Sequence, residues 1–368
     1  YTLGLKPREV LALDAVNMGT LYHRILERFY GRVVAGELPW PECEERDLRG
    51  ALEQEVAAAA REVHGELQDK VAGYEKQRER TKRTLGIVLE ADRRRACQGS
   101  MRPVGVEVVF GKARGETGTA AKGRLIRLPV LRVEIPGGRS VAVTGKIDRV
   151  DAAEKSGAAG AADVCVMDYK SSSRREVELG RVYWGLDLQL PVYGVVMREL
   201  AGKRPRAALY VPLGIRRKSV KSAQEAAPEG TDAFYQDFQK PRGIVDETAA
   251  GLLDRSILPS EDAGGKSDWF NIGYRKDGGI PANSDMLLHD EFELVLNYAR
   301  WKVGSLAGEL AAGKIGPAPY RANGRAPSDE CDFSSLCPFD RVTGTYREMP
   351  RMARSEALHA MAAALGTA

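Results

Sequence analysis

The stretch "ADVCVMDYKS" at residues 162–171 constrains the fold more than any other part of the chain. Residues 164–167 are four consecutive apolar residues, a pattern typical of a strand with both faces buried inside a sheet. Asp168 and Lys170 follow, and because strand residues two apart point to the same face, their side chains project together. Unpaired charges at the end of a central strand are costly. The pattern therefore predicts either an ion pair where the strand leaves the sheet or a site that uses both groups.

A second acidic residue falls near the end of a neighbouring predicted strand. In "SVAVTGKIDRVD" at residues 140–151, Asp148 shares a face with Lys146. An Ala/Gly-rich loop at 152–162 joins the two strands, and their pairing would place Asp148 beside Asp168. Neighbouring carboxylates repel, so one is neutral unless a cation binds between them. Oxygen ligands with open positions suit Mg²⁺ or Mn²⁺, and a nearby lysine stabilises charge on a phosphate. A D…D-x-K spacing is what a metal-dependent phosphodiesterase needs.

The composition is that of a globular protein, with 43% hydrophobic and 29% charged residues among 368. A net charge of +4 permits a nucleic-acid partner without requiring one. No stretch approaches the ~18 uninterrupted apolar residues of a transmembrane helix, and "YTLGLKPREV" lacks the apolar core of a signal peptide. Five scattered cysteines argue against a secreted disulfide framework and predict a cytoplasmic protein. The missing initiator methionine indicates a piece of something longer.

Apolar spacing predicts where helices and strands alternate along the chain. Short β-branched stretches bounded by glycines predict strands at 104–111, 130–137, 140–151, 162–171 and 206–214. Helical spacing predicts helices at 17–34, over most of 44–98, and at 180–201 and 288–313. This order predicts an α/β fold in which a mixed central sheet is flanked by helices. The charged runs at 76–84 and 92–96 predict a basic surface on the second helical region.

Four motifs, in order along the chain, carry a resemblance to a known family. They are "MGTLYHRILERF" (18–29), "GKIDRVD" (145–151), "DYKSS" (168–172) and "LQLPVYG" (188–194). They resemble the G-x-x-x-H-x-x-L-E-x-F, G-x-x-D-R-x-D, D-x-K and Q-x-x-x-Y motifs of the RecB-like branch of the PD-(D/E)XK nuclease superfamily. The resemblance covers about residues 1–340 and implies a restriction-endonuclease-like core with helical insertions.

The resemblance implies roles for particular residues. His23, Asp148, Asp168 and the Tyr169 main-chain carbonyl would hold Mg²⁺ or Mn²⁺. The catalytic residues would be Asp148, Asp168, Lys170 and Gln189, with Tyr193 near the DNA backbone. Glu107 is either an extra acid at the site or a polar residue on an exposed strand face. Glu27 is expected to pair with an arginine, and the aromatic residues Tyr183 and Trp184 either stack on an unpaired base or pack in the core.

The C-terminal loop carries a cysteine pattern that also resembles this branch. In "GPAPYRANGRAPSDECDFSSLCPFD" (316–340), Cys331 and Cys337 keep the C-x5-C spacing of nucleases that hold a [4Fe–4S] cluster with four cysteines. Ser328 stands at the first position of the triplet, and the upstream cysteine would precede Tyr1. A complete cluster in this chain is therefore doubtful, because two thiolates do not make a cubane site. Cys331 and Cys337 are either degenerate cluster ligands or ordinary loop cysteines.

We expect one nuclease domain over 1–345 and a tail helix over 346–368. The domain divides into a helical region (40–100), a catalytic core (100–215), an insertion (215–285) and a helix with the cysteine-bearing loop (286–345). The resemblance implies Mg²⁺-dependent cleavage of single-stranded DNA that a partner helicase, or helicase-like domains of a longer chain, unwinds at double-strand breaks. The chain has no G-x-x-x-x-G-K-[ST] loop for ATP. The alternatives are a Cas4-like nuclease and a non-catalytic module that binds DNA or a helicase.

Overall fold

The strand predicted from residues 162–171 lies in the middle of a seven-stranded sheet. The computed structural model describes residues 15–64, 74–111, 127–153, 161–171, 176–214, 228, 230–238, 240–257, 264–322, 326, 331, 333 and 336–367. Most of the predicted 152–162 loop, the last residue of the "DYKSS" motif and Ser328 lie outside the described residues.

The main sheet is mixed, and its strands run in the order β2-β1-β5-β6-β7-β8-β9. The described strands are β1 (Met101–Phe110), β2 (Arg127–Leu128), β3 (Leu131–Ile135), β4 (Arg139–Val143), β5 (Gly145–Ala153), β6 (Asp163–Lys170), β7 (Arg204–Pro212), β8 (Arg242–Asp246), β9 (Met286–Leu287), β10 (Tyr320–Arg321) and β11 (Arg347–Glu348). β5 pairs antiparallel with β1 and with β6, whereas β6 and β7 are parallel. The mixed sheet confirms the predicted fold class.

Helices cover both faces of this sheet. The described helices are α1 (Ala15–Val34), α2 (Glu45–His64), α3 (Tyr74–Gln98), α4 (Leu179–Trp184), α5 (Gln189–Glu199), α6 (Asp232–Phe238), α7 (Ala250–Leu253), α8 (His289–Ala311) and α9 (Arg354–Leu365). The apolar stripe predicted for α1 is buried, since Leu21, Ile25 and Phe29 are at most 4% exposed. Burial of such a stripe, rather than helix propensity, supplies most of a helix's stability.

Two separate cores result from the alternation of side chains along the central strands. Met167 and Tyr169 of β6 face a core built with α1, α2 and α3. Val164 and Val166 face the opposite core, built with α5, α8 and α9. Burial of β6 on both faces explains its apolar run. The last residues of the strand lie between the two layers of helices.

The structure divides the predicted 140–151 strand in two. β4 pairs with β3 in a separate hairpin, and β5 begins at Gly145 and enters the main sheet. β8 lies within the stretch predicted as an insertion, yet it pairs with β7 in the main sheet. The division of the chain into segments stays a prediction.

Candidate metal and phosphodiester site

The site forms where β5 and β6 stop pairing. Arg149 lies opposite Met167 at the end of their ladder, so Asp148 and Asp168 are the next two residues in the same register. There the Asp148 side chain takes the place of a main-chain partner, and its Oδ2 accepts a hydrogen bond from the Tyr169 amide at 2.8 Å. Both aspartates are buried, at 7% and 3% exposure. The strand ends therefore bring together the two acids that the sequence predicted to be neighbours.

His23 joins these strand ends from the first helix. Its Nδ1 lies 3.3 Å from Asp148 Oδ1, and its Nε2 lies 3.1 Å from the Tyr169 carbonyl oxygen. Burial lowers the pKa of His23, but the hydrogen bond and charge of Asp148 outweigh it and leave that pKa above its ordinary value. Since both ring nitrogens face oxygen atoms, the protonated imidazolium suits this arrangement.

Glu107 enters the same site from β1, on the other side of β5. It is 6% exposed, and its φ of +49° is a left-handed conformation that non-glycine residues rarely adopt. Burial raises the pKa of Glu107 to about 7, in spite of an ion pair with Lys146. The residue thus lies at a buried acidic site rather than on an exposed strand face, and its backbone is strained to put it there.

His23, Glu107 and Asp148 form a group that fits a divalent cation. One ligand atom from each residue lies within 4.8 Å of the other two. The group combines two carboxylates, which suit Mg²⁺ or Mn²⁺, with an imidazole, which is a common ligand of transition-metal ions. A cation would also relieve the repulsion between acids that the surrounding residues leave in part uncompensated. The residues present therefore fit a divalent cation.

Asp168 has different neighbours from Asp148. Its Oδ1 accepts a hydrogen bond from Gln189 Nε2 at 2.7 Å, and its Oδ2 lies 2.6 Å from Lys170 Nζ. Burial and repulsion from Asp148 raise the pKa of Asp168 to about 6, in spite of Lys170. Asp168 is therefore repelled by the charge of Asp148 in the cation group, and it forms an ion pair with Lys170 of its own strand.

Gln189, at the start of α5, links the lysine to the aspartate. Its Oε1 accepts a hydrogen bond from Lys170 Nζ at 2.9 Å, while its Nε2 donates to Asp168. Nε2 also lies 3.0 Å from the hydroxyl of Tyr193, one helical turn further on. Tyr193 itself is buried, at 8% exposure, and packs edge-on against Phe110. Its predicted contact with DNA stays a prediction.

A second polar cluster lies beneath the site, and the sequence did not predict it. Arg149 is 2% exposed and donates to Asp92 and to Asp151, each at 2.6 Å. Tyr30 donates to Asp92 at 2.6 Å, and its ring lies 4.1 Å from the Arg149 guanidinium. The sequence signal that would have found the cluster is the second acid of "DRVD", which shares a face with the arginine.

The basic surface predicted over 92–96 is wrong in part. Arg95 is buried, at 3% exposure, and donates to Asp92. Arg93 and Arg94 are half-buried and pair with Glu90 one turn earlier. Residues 92–96 belong to α3, which directs some of its charged side chains into the core and others towards the solvent. The number of basic residues in the sequence therefore overestimates the positive charge on the surface.

The other predicted residues have simple surroundings. Glu27 pairs with Arg24 at 2.6 Å, which confirms its expected arginine partner. Tyr183 stacks on Tyr298, and Trp184 packs against Tyr320.

The five cysteines, all of which the structure describes, do not assemble a cluster site. Cys331 and Cys337 are exposed in the C-terminal loop, whereas Cys43 and Cys165 are buried and Cys97 lies at the end of α3. The residues present therefore do not fit a four-cysteine [4Fe–4S] site, and the assignment of Cys331 and Cys337 as degenerate ligands stays a prediction.

The described helices include none that is long and apolar enough to cross a membrane.

A mixed sheet flanked by helices, with two aspartates and a lysine at adjoining strand ends, is the architecture of the PD-(D/E)XK nucleases. A family model of the PD-(D/E)XK nuclease superfamily matches residues 1–338, and the chain belongs to this superfamily. The match confirms the superfamily predicted from the four motifs.

The relatives indicate which members of the superfamily the chain is similar to. The B-type subunit of the ATP-dependent helicase/deoxyribonuclease of Moorella thermoacetica is 28% identical over 95% of this chain and 29% of its own length. Proteins of the same name from Clostridium tetani and Bacillus mycoides are 25% and 28% identical, over 92% and 97% of this chain. The chain thus spans about three tenths of the length of these relatives. The relatives show that the chain is similar to part of AddB-type helicase/deoxyribonuclease subunits.

Proposed function

We propose that this chain is a Mg²⁺-dependent deoxyribonuclease domain that hydrolyses phosphodiester bonds of single-stranded DNA. The proposal rests on two groups of side chains that meet at the adjoining ends of the central strands β5 and β6. The first, His23 with Glu107 and Asp148, fits a divalent cation. The second joins Asp168 to Lys170 and Gln189. Metal-dependent phosphodiester hydrolysis needs both a cation and a nearby positive side chain.

The cation would be held by His23, Asp148, Asp168 and the Tyr169 main-chain carbonyl, with Glu107 as a further acid. When bound, it lowers the pKa of a water molecule and neutralises the scissile phosphate. Protons would compete with the cation for this site, because the pKa values of His23, Glu107 and Asp168 are all raised. The Tyr169 carbonyl is already near His23, so it lies at the edge of the same site.

Lys170 would act on the phosphate directly. Its side chain is 30% exposed, while Asp168 beside it is buried. An ammonium fixed at the edge of a buried site offsets charge that develops on the phosphate oxygens in the transition state, and it orients the attacking water. Gln189 positions this ammonium and the Asp168 carboxylate together, since one amide contacts both.

The substrate and partner rest on the relatives. Their name joins a helicase and a deoxyribonuclease in one enzyme. We infer that a helicase partner, or helicase-like domains of a longer chain, delivers unwound DNA ends to this site during double-strand-break processing in the cytoplasm. This arrangement would need no ATP site in the nuclease domain.

The test is cleavage of a 5′-labelled single-stranded oligonucleotide with Mg²⁺ or with EDTA. We expect Lys170→Ala and Asp168→Ala to abolish Mg²⁺-dependent cleavage and to leave the circular dichroism spectrum unchanged. Lys203→Ala, at an exposed lysine next to the start of β7, should cut like the unaltered chain. Unchanged cleavage in both site variants would refute the proposal. DNA binding that is equal with and without Mg²⁺, and without any cleavage, would instead identify a non-catalytic binding module.

A further inference from the structure

A second lysine, Lys146, lies at the outer side of the cation group. It lies two residues before Asp148 on β5, so both side chains project from the same face of the strand. Its ammonium forms an ion pair with the Glu107 carboxylate. The two partners differ in surroundings, since the Lys146 side chain is 44% exposed and that of Glu107 is 8% exposed. The lysine therefore reaches from the solvent into the site.

The two lysines of the site are held in different ways. Lys170 Nζ contacts Asp168 and Gln189, and neither of these belongs to the three-residue cation group. Lys146 instead contacts Glu107, which is a member of that group. A divalent cation bound there would compete with Lys146 for the same carboxylate and would repel its ammonium at close range. Even where Asp168 joins the cation ligands, Lys170 keeps its hydrogen bond to Gln189, whereas Lys146 loses the Glu107 carboxylate to the cation.

We propose that Lys146 is a displaceable lysine that couples metal binding to DNA binding. In the metal-free chain it neutralises Glu107. When a divalent cation takes that carboxylate, Lys146 turns outward and binds a DNA backbone phosphate beside the scissile one. A lysine suits this change of partner because its ammonium is a compact charge on a flexible stem with three rotatable donors. The inference rests on the proposed nuclease function and adds a residue to its DNA contacts.

If Lys146 changes partner in this way, the protein contacts one more DNA phosphate when metal is bound than when it is not. For single strands, the logarithm of the binding constant falls with the logarithm of salt concentration by about 0.7 for each neutralised phosphate. If Lys146 is paired with Glu107 without metal, removing it leaves the salt slope in EDTA unchanged. If metal releases it onto a phosphate, removing it in the presence of metal lowers the slope by about 0.7.

The experiment measures binding of a fluorescent single-stranded oligonucleotide at several salt concentrations, in EDTA and in Ca²⁺, with a gel to verify that the DNA stays intact. We expect Lys146→Gln to match the unaltered chain in EDTA and to lose about 0.7 of slope in Ca²⁺. Calorimetric titration of the DNA-free proteins with Ca²⁺ at about pH 8.5, where the site acids are ionised, should show several-fold tighter binding by Lys146→Gln, since the competing ammonium is gone. The control is Lys203→Gln, the same change at the exposed lysine before β7, which should affect the salt slope equally in EDTA and in Ca²⁺.

A second variant keeps the inference testable if Lys146→Gln is poorly folded. Glu107→Gln removes the carboxylate that holds the lysine, so its salt slope in EDTA should already be about 0.7 steeper than that of the unaltered chain. A loss of slope from Lys146→Gln that is equal in EDTA and Ca²⁺ would show a permanent contact and overturn the inference, as would no loss in either. Both outcomes leave Mg²⁺-dependent cleavage by the unaltered chain intact, whereas failure of the proposed function would remove that cleavage.

Discussion

Consecutive residues of β5, Asp148 and Arg149, lie in two polar clusters on opposite faces of the strand. Arg149 belongs to a cluster in which the buried acids have cationic partners. There burial raises the pKa of Asp92, but Arg149 and Arg95 outweigh it and bring that pKa below its ordinary value. Asp148 belongs to a cluster in which the pKa values of Glu107 and Asp168 are raised to about 7 and about 6. The cations of the first cluster are two buried arginines, although burial still leaves the pKa of Asp151 raised. The cations of the second cluster are the partly exposed Lys146 and Lys170, which do not offset the burial of their acids.

The difference supports separate roles for the two clusters. A buried charge persists in a stable fold when it is paired and hydrogen-bonded, as Arg149 and Asp92 are. A cluster whose acids have raised pKa values is suited to exchange protons for a cation. We therefore expect the cluster around Arg149 to stabilise the fold and the cluster around Asp148 to bind the cation.

The largest effect is expected when a matched change is made in each cluster. Asp148→Asn should reduce Mg²⁺-dependent cleavage more than about 100-fold, because even partners behind metal ligands cost about 10- to 100-fold. Its free energy of unfolding without metal should fall less than that of Asp92→Asn, because Asp148 pairs with a part-exposed histidine rather than with buried arginines. Asp92→Asn should instead keep the metal affinity of the folded chain and lose stability. Cleavage assays and urea unfolding of both variants check this, and the reverse pattern would contradict the comparison.

The next largest effect concerns the arginine. Arg149→Met should lower the free energy of unfolding by about 3–5 kcal/mol, because Asp92 and Asp151 remain buried without their shared cation. Lys170→Met, at a half-buried lysine, should change stability by about 1 kcal/mol or less. Denaturant unfolding of the metal-free proteins measures both values, and equal losses would mean that both clusters serve the fold alike.

Metal affinity should depend on pH in a defined direction. Protons on Glu107, Asp168 and His23 compete with the cation, so affinity should rise as the pH rises through about 6 and about 7. Between about pH 5.5 and 8 we expect a gain of about 100-fold, with release of protons on binding. Calorimetry in buffers of different ionisation enthalpy measures that release, and an affinity that does not change with pH would contradict the assignment.

The smallest effect is a stabilisation. Because the pKa of Asp168 is raised to about 6 in the fold, ionisation removes stability as the pH rises from the ordinary value of 3.8, and the loss is complete above 6. Asp168→Asn should therefore make the metal-free chain more stable at about pH 8 by about 1–3 kcal/mol, since one pKa unit corresponds to about 1.4 kcal/mol. The gain should shrink at about pH 4.5, where the fold keeps the carboxyl protonated. Thermal unfolding at the two pH values checks the sign, and a variant that is less stable at the higher pH would refute it.

Sequence reasoning found those parts of the fold and site that depend on local pattern. The apolar run before Asp168 predicted a central strand because burial of both faces leaves a direct trace in composition. The antiparallel pairing of β5 and β6 was predicted from the Ala/Gly-rich loop at 152–162 that joins them, and it makes Asp148 and Asp168 neighbours. His23 could be placed only by the motif resemblance, because nothing in a helical stripe specifies which strand end it meets.

The remaining features depend on distant contacts. The left-handed backbone of Glu107 has no sequence signal, because left-handed positions are usually marked by glycine. Asp92 lies among arginines that predict an exposed face, and only the packing of α3 on β5 turns it inward. The break at Thr144 was missed because β4 and β5 have the same β-branched composition, and nothing in that composition shows that they join different sheets.

Position 107 carries an evolutionary consequence. Glycine would adopt the φ of +49° without the steric penalty that glutamate bears there, and it would remove a buried acid. Selection for thermal robustness alone would therefore replace this residue, and only a demand for the carboxylate retains it. If the proposed nuclease function holds, descendants that lose it should acquire glycine at this position before the surrounding strands change.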